Sequence, residues 1–193
     1  MSGLREEKQA LRRVLRQRGA ELTPDYRLSA DAAIRRAVLE SEAWRSAETV
    51  FVYVSMWAEP DTRLLLADAL ASGKTLYVPL CRPDKTLEAV RIRSTAELGS
   101  GLLGIPEPPE DGERPGEGGI DLALVPCMSV TRDGRRLGHG LGYYDRFLAL
   151  HPCRTLCLCY EALLCEDVPT DDLDIRMDAV VTEQGITKSI KKH

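Results

Sequence analysis

The feature that most constrains the fold is a nearly continuous apolar segment, residues 49–56 (TVFVYVSM), in which β-branched and aromatic side chains predominate. A strand that is apolar on both faces is typical of a parallel sheet, because helices cover both sides of such a sheet. An apolar helix is predicted next, over residues 62–72, with Gly73 just beyond its end as a C-terminal cap. Residues 75–80 return as a second apolar strand. Strand, helix and strand together predict a βαβ unit.

The rest of the chain supplies further elements of the same kinds. The other predicted helices are residues 4–18, 24–43 and 143–150, and the other predicted strands are residues 87–92, 122–128, 155–160 and, last in the chain, 179–182. Residues 99–119 are rich in glycine and proline and predict a loop. We therefore expect one three-layer α/β domain over residues 1–193, with a mostly parallel sheet and helices on both faces. Ligands are expected at the carboxyl ends of its strands, with the loop 99–119 lying over the site.

Composition excludes several classes of protein. The formal net charge is −4, from 26 Lys+Arg and 30 Asp+Glu, so there is no global basic field to attract nucleic acid. No apolar run reaches the roughly 18 residues of a membrane span, and the N-terminal segment predicts a charged helix rather than a signal peptide. The six cysteines form neither a Cys-x-x-Cys motif nor a paired Cys/His frame, which favours free thiols. These patterns predict a cytoplasmic protein that binds neither nucleic acid nor membrane.

The strongest local signal is the segment 135–145, RRLGHGLGYYD, which follows a predicted strand and opens a helix. Alternating glycines let backbone N–H groups converge on an anion at a helix N-terminus. The spacing Gly-x-Gly-x-Gly matches neither the dinucleotide pattern nor a P-loop, and a tight turn without a ligand is the alternative. Arg135, Arg136 and Asp145 flank the turn and favour a phosphate accompanied by a divalent cation.

Other polar residues suit the same chemistry. Asp145 and a carboxylate of the acidic run 171–178 could hold Mg²⁺ through oxygen ligands, and spacing does not select which one. The alternative is a helix-start charge beside a solvated loop. Glu59, beyond the carboxyl end of the first strand, could accept hydrogen bonds from a heterocycle or be an ordinary polar loop residue. Lys8 and Arg12 lie one helical turn apart and could clamp phosphates, or form the solvated face of their helix.

Taken together, these motifs resemble the 5-formyltetrahydrofolate cyclo-ligase family, also called the methenyltetrahydrofolate synthetases. The resemblance extends over nearly the whole chain. In chain order it comprises Lys8-x-x-Leu11-Arg12, Ser55-Met56-x-x-Glu59-x-x-Thr62, Ile105-Pro106-Glu107-Pro108, Arg136-Leu137-Gly138-x-Gly140-x-Gly142-Tyr143-Tyr144-Asp145, and Val168-Pro169 with Asp174. The arginine-to-aspartate segment is the most diagnostic of these motifs.

The resemblance implies an ATP- and Mg²⁺-dependent ligase. ATP phosphorylates the formyl oxygen of 5-formyltetrahydrofolate, the N10 amine closes the ring, and phosphate leaves as 5,10-methenyltetrahydrofolate forms. Such a reaction needs positive charge around the transferred phosphoryl group and good positioning of two substrates. No protein nucleophile is required, which agrees with a sequence that has no Ser-His-Asp or Cys-His arrangement.

The resemblance also implies roles for particular residues. The implied ATP-binding residues are Lys8, Gln9, Ala10, Leu11, Arg12, Arg136, Leu137, Gly138, His139, Gly140, Leu141, Gly142, Tyr143 and Tyr144. The implied folate-binding residues are Arg12, Val54, Glu59, His139, Gly140, Leu141, Gly142 and Tyr143. Arg136 and Tyr143 are the implied catalytic residues, and Asp145 and Asp174 are the implied Mg²⁺ ligands.

The sequence departs from the family pattern at three positions. Leu141 stands where the family commonly has lysine, and the neighbouring Arg135 could partly replace that cation. Cys127 and Val130 stand where the family usually has glycine and phenylalanine. Two alternatives therefore remain beside the cyclo-ligase: a related ATP-dependent enzyme for another formamide or carboxyl substrate, and a non-catalytic folate- or nucleotide-binding paralogue. In each case we expect a monomer that binds small molecules.

Overall fold

A computed structural model describes residues 2–56, 58–116 and 119–189. The strands are β1 (Thr49–Val52), β2 (Thr75–Cys81), β3 (Leu87–Ile92), β4 (Gly99–Ser100), β5 (Pro106–Glu107), β6 (Leu122–Pro126), β7 (Ser129–Val130), β8 (Arg136–Leu137), β9 (Arg154–Leu158), β10 (Ala179–Thr182) and β11 (Gly185–Lys188). Seven of these described strands form one sheet in the order β11-β10-β9-β6-β1-β2-β3. The five central strands run parallel, and β3 and β11 are antiparallel at the edges. The predicted α/β class with a mostly parallel sheet is confirmed.

The strand order places a topological switch point between β1 and β6. From β1 the chain crosses to β2 on one side, whereas from β6 it crosses to β9 and then β10 on the other. All five residues of β6 are buried, as are three of the four in β1, which explains why both strands are apolar on both faces. Ligands of open α/β sheets bind in the crevice at the carboxyl ends of the strands beside such a point. This edge of the sheet is therefore the first place to look for a site.

Helices flank the sheet at positions that their capping residues fix. They are α1 (Ser2–Glu21), α2 (Pro24–Glu40), α3 (Glu42–Ser46), α4 (Arg63–Ala71) and α5 (Tyr143–Leu150). Thr23 caps α2, since its side chain accepts a hydrogen bond from Tyr26 N at 3.2 Å. The single helix predicted over 24–43 is wrong, because Ser41 takes an extended conformation, ends α2 and caps α3 through Trp44 N.

Two further predictions, for residues 99–119 and for the last strand of the chain, are also wrong. Residues 99–119 are not merely a loop, because β4 and β5 pair within them. Glu107 fastens this segment to the sheet by accepting hydrogen bonds from Cys81 N at 3.1 Å and Leu102 N at 3.0 Å. The strand 179–182 is not the last one, since β11 returns antiparallel to β10 after a turn at residues 183–184, and Gly185, the first residue of β11, has φ of +121°.

The cysteines and the helices bear on two further expectations from the sequence. All six cysteines are free, and burial raises the pKa of Cys157 well above its ordinary value. Cys157 is accordingly a small apolar core residue rather than a reactive thiol. In the described part of the chain, no helix is long and apolar enough to cross a membrane.

Candidate functional site

The candidate site lies at the switch point, where Glu59 from the segment after β1 meets the glycine turn, defined as residues 138–142. The Glu59 side chain is only 3% exposed, and His139 Nε2 lies 2.9 Å from Glu59 Oε1. The other carboxylate oxygen accepts a hydrogen bond from Met56 N at 2.9 Å. An ionised carboxylate can only accept, so the Nε2–H of His139 is the donor. Two segments that the sequence separates by 80 positions are thus in direct contact.

The local chain after β1 explains why Glu59 points into the fold. Thr62 is fully buried, and its hydroxyl donates to Tyr53 O at 2.6 Å while accepting from Ser55 N at 3.2 Å. These bonds close the chain between β1 and α4 into a tight bend, so the strand predicted over 49–56 ends at Val52. Val54, implied at the folate, lies in this bend and is 7% exposed.

The glycine turn uses the conformational freedom of two of its glycines. Gly140 and Gly142 have φ of +103° and +68°, a conformation that residues with a Cβ rarely adopt. Helix α5 begins directly afterwards at Tyr143, whose hydroxyl donates to Arg82 O at 3.0 Å. The turn therefore presents its backbone at a helix N-terminus, as an anion site requires.

Arg12 reaches this turn from α1. Its Nε donates to Gly138 O at 2.8 Å, and a Cβ added to Gly140 would lie 3.1 Å from the Arg12 guanidinium carbon. Burial lowers the pKa of Arg12, and the nearby Arg16 lowers it further. The residue is nevertheless a cation at neutral pH, because arginine titrates far above that range.

Arg136 and Asp145 form a buried ion pair beside the turn. Arg136 Nη2 donates to Asp145 Oδ2 at 2.8 Å, and only 4% of the Arg136 side chain is exposed. Burial is the largest single influence and acts to lower the pKa of Arg136, but Asp145 together with the nearby Cys157 and Cys127 raises it overall. Arg136 Nη1 donates to Pro126 O at 3.2 Å, whereas its buried Nε has no acceptor among the described residues. The side chain of Arg136 thus points inward, and one of its donors has no partner among the described residues.

Lys8 and Asp174 form the second pair. The Lys8 ammonium lies 2.5 Å from Asp174 Oδ2 and 3.5 Å from a carboxylate oxygen of Asp171. Asp145 Oδ1 accepts from Ile175 N at 3.2 Å, so Asp145 and Asp174 lie on adjoining parts of the same surface. A cavity of about 210 Å³ opens there, lined among others by Arg136 and Asp174.

The chemistry of the two carboxylates limits the kind of metal site that they can form. Each already has an oxygen in an ion pair, and the described residues contain no cluster of three or more His, Cys, Asp or Glu that could hold a metal ion. Mg²⁺ is commonly bound through only one or two carboxylates, with water and substrate phosphates as its other ligands. Asp145 and Asp174 therefore fit a phosphate-bound Mg²⁺ and do not fit a metal ion held by the protein alone.

Four other residues that were implied to bind ATP have side chains outside the hydrogen-bonded part of the site. Leu11 and Leu137 pack in a small apolar cluster with Leu15, so their side chains have a structural role. Gln9 and Ala10 are exposed on α1. These four side chains do not take part in the hydrogen bonds that join the parts of the site.

The structure also changes which arginine lies beside position 141. The suggestion that Arg135 replaces a cation there is wrong, because its guanidinium pairs with Asp133 and Asp167. Sequence reasoning missed Arg146, which donates to Leu141 O at 2.9 Å. A signal was available, because Arg146 lies four positions after Gly142 on α5 and therefore faces the start of the helix.

Comparison with known proteins gives a consistent result. The sequence model described as the 5-formyltetrahydrofolate cyclo-ligase family matches residues 4–183. A 5-formyltetrahydrofolate cyclo-ligase of Mycolicibacterium smegmatis is 32% identical over 83% of this chain and 90% of its own length. That of Mus musculus is 27% identical over 92% of this chain and 94% of its own. The solved 5,10-methenyltetrahydrofolate synthetase of Aquifex aeolicus superposes with a TM-score of 0.82 at 29% identity, covering 96% of this chain and 97% of the other.

Proposed function

Because the chain belongs to the 5-formyltetrahydrofolate cyclo-ligase family, we propose that it converts 5-formyltetrahydrofolate to 5,10-methenyltetrahydrofolate with MgATP. In this reaction the terminal phosphoryl group of ATP passes to the formyl oxygen. The N10 amine then attacks the activated formyl carbon and closes the ring, and the phosphorylated oxygen leaves as phosphate. ADP is the second product.

The observation that carries this proposal is the contact between Glu59 and His139 at 2.9 Å. It joins a buried acceptor, suited to the N–H groups of a pterin ring, to a glycine turn suited to phosphates. A site with these two halves in contact can bring the formyl oxygen and the terminal phosphoryl group together, which is the main task of an enzyme that uses no nucleophile of its own.

The surroundings of each residue determine the role that we propose for it. Glu59 accepts the pterin N–H groups, and burial strengthens these hydrogen bonds because water does not compete. The backbone N–H groups of the glycine turn and the Arg12 guanidinium hold the phosphates and neutralise charge that develops during transfer. Arg136 packs against Gly138 of the same turn, and Tyr143 begins the helix that follows it, with its hydroxyl on Arg82 O; we assign catalytic roles to both residues.

Asp145 and Asp174 are the residues that we expect to hold Mg²⁺ when ATP is bound. The ion would neutralise phosphate charge. In the free protein Arg136 and Lys8 hold these carboxylates in place, so little reorganisation is needed when the nucleotide binds.

The direct test is an assay of the purified protein with 5-formyltetrahydrofolate, in which near-ultraviolet absorbance reports the methenyl product. Product that requires both ATP and Mg²⁺ is the expected result. Glu59→Gln should raise the KM for 5-formyltetrahydrofolate at least tenfold, since an amide replaces one of two acceptor oxygens, and should leave the KM for ATP within about twofold.

Two other results would replace this proposal by the alternatives. Folate binding without turnover would indicate a non-catalytic paralogue, and nucleotide binding without folate affinity would indicate another formamide or carboxyl substrate. Calorimetric binding of each compound separates these cases, because it does not depend on turnover.

We also propose that the enzyme acts as a cytoplasmic monomer without nucleic-acid partners. The formal net charge of −4 supports the absence of nucleic-acid partners, since a protein that binds nucleic acid usually has a basic surface. Size-exclusion chromatography with light scattering measures the mass of the protein in solution. A mass near twice 21.4 kDa would contradict the proposed monomer.

A further inference from the structure

Two arginines from different helices bracket the glycine turn. Arg12 from α1 donates to Gly138 O at 2.8 Å, at the start of the turn. Arg146 from α5 donates through Nη2 to Leu141 O at 2.9 Å, near its end, and through the same nitrogen to Lys85 O. Arg146 therefore connects the turn to the hairpin between β2 and β3.

The positive charge of this bracket is only partly offset by the protein, since Asp174 acts on Arg12 without forming an ion pair with it. Among the described residues, neither Arg12 nor Arg146 lies within salt-bridge distance of a carboxylate. Arg135 and Arg136 differ in this respect, because each is paired with an aspartate. The Leu141 side chain, which stands between the two bracketing arginines, carries no charge. Arg12 and Arg146 are thus the cations that remain available at the turn.

Arg146 is held in position while some of its donors stay unused. Its guanidinium lies over the Tyr143 ring, with 6.0 Å from Cζ to the ring centroid. A Cβ added to Gly142 would lie 2.8 Å from Arg146 Nη1, so that nitrogen packs against the open side of the glycine. Both of its hydrogen bonds use Nη2, and neither Nε nor Nη1 has an acceptor among the described residues.

We propose that Arg146 binds an anionic oxygen group of a substrate at the glycine turn. The group is either a phosphate of the nucleotide or a carboxylate of the folate, because both match the planar donor fork of a guanidinium. Two carbonyl contacts and the Tyr143 ring fix the side chain in advance, so little conformational entropy is lost on binding. This proposal rests on the proposed function and adds a residue to its site.

The test compares Arg146→Gln with Arg36→Gln. Glutamine removes the charge and the guanidinium fork but keeps a polar amide, and the melting temperature reports whether the turn is preserved. Arg36 is exposed on α2 and has no hydrogen bond or ion pair within the described residues, so its substitution controls for the loss of one positive charge. Each protein is titrated by calorimetry with MgATP and with 5-formyltetrahydrofolate at two salt concentrations, and KM is measured for both.

We expect Arg146→Gln to weaken binding of one compound roughly tenfold and to reduce the salt dependence of that affinity, with the other affinity within about twofold. Arg146→Lys should recover part of the loss. An effect on MgATP identifies a phosphate as the anion, and an effect on 5-formyltetrahydrofolate identifies a carboxylate. A melting temperature equal to that of Arg36→Gln is expected in either case.

The proposal is overturned if Arg146→Gln binds both compounds as Arg36→Gln does. It is also overturned if both affinities fall together with the melting temperature, since Arg146 would then only support the fold. Failure of the proposed function is a separate outcome, because a wild-type protein without turnover can still show the selective loss of MgATP affinity in Arg146→Gln.

Discussion

At the scale of single residues, the site is organised by charges that are paired before any ligand arrives. The Arg136–Asp145 pair is the most buried of these, with 4% and 20% of the two side chains exposed. Removing one partner of such a pair leaves a charge in a poorly solvated place, which costs more than the intact pair contributes. Asp145 is therefore expected to matter for stability as well as for activity.

We predict that Asp145→Asn lowers the free energy of unfolding by about 3 kcal/mol, because the Arg136 guanidinium loses its counter-charge. Phosphate release should fall at least a hundredfold, since Asp145 is also a proposed Mg²⁺ ligand. Urea unfolding and a phosphate-release assay measure the two effects, and calorimetry should still detect binding of 5-formyltetrahydrofolate.

The matched control is Asp172→Asn, at an exposed neighbour of Asp174 that has no hydrogen bond or ion pair in the described structure. It should leave both measurements near the wild-type values. Wild-type phosphate release by Asp145→Asn would show that the metal assignment is wrong.

At the scale of elements, the segment after β5 protects one edge of the sheet. Arg91 N in β3 donates to Glu113 O at 2.8 Å, so this segment runs beside the edge strand. Glu88 in β3 accepts from Arg82 Nε at 2.8 Å and from Arg114 Nη2 at 2.5 Å. Part of the loop predicted to lie over the site is thus held along β3, where it covers backbone groups that an edge strand would expose.

Glu88 gives this clamp a pH dependence. Hydrogen bonds from Arg82 and then Arg114 lower the pKa of Glu88 from 4.5 to about 2. The ionised form is favoured in the folded state, so its contribution to stability is present above pH 4.5 and is lost as the pH falls toward 2.

We predict that Glu88→Gln is less stable than wild type at pH 7 by at most about 1 kcal/mol, because the side chain is 34% exposed and solvent screens the pairs. The difference should shrink between pH 4.5 and pH 3. Urea unfolding at pH 7, 5 and 3 measures it, with the exposed Glu7→Gln as the control. A difference that grows as the pH falls would contradict the sign worked out from the pKa.

At the scale of the whole molecule, the main apolar core is continuous across the sheet. One cluster of buried residues extends from Ala30 in α2 to Val181 in β10 and includes residues of β1, β2, β3, β6 and β9. Because none of these strands can lose its neighbours without exposing the core, the part of the sheet that they form is expected to unfold as one unit.

We predict a single cooperative unfolding transition, as one domain requires. Far-ultraviolet circular dichroism and the fluorescence of the buried Trp44 should give coincident curves in urea. Helix α1 is the element that could unfold before the sheet, since its Leu15 packs in the smaller cluster instead of the main core. An early loss of helical signal before Trp44 becomes exposed would show that the chain does not behave as one domain.

The sequence by itself determined the features that depend on neighbouring residues. Helix α5 and strand β10 have the bounds predicted for them, 143–150 and 179–182, because hydrophobic periodicity and glycine capping are local properties. The glycine turn directly before a helix was likewise visible in the sequence, and two of its glycines have positive φ angles. The mostly parallel sheet followed from strands that are apolar on both faces.

Only the tertiary structure decided how distant residues meet. The contact of Glu59 with His139 spans 80 positions and that of Lys8 with Asp174 spans 166, and no local pattern specifies either partner. The inward direction of Arg136, the pairing of Arg135 with Asp133 and the position of Arg146 on the turn were equally hidden. The physical reason is that strand order and packing bring these side chains together, whereas the sequence pattern reports only the periodicity of each segment.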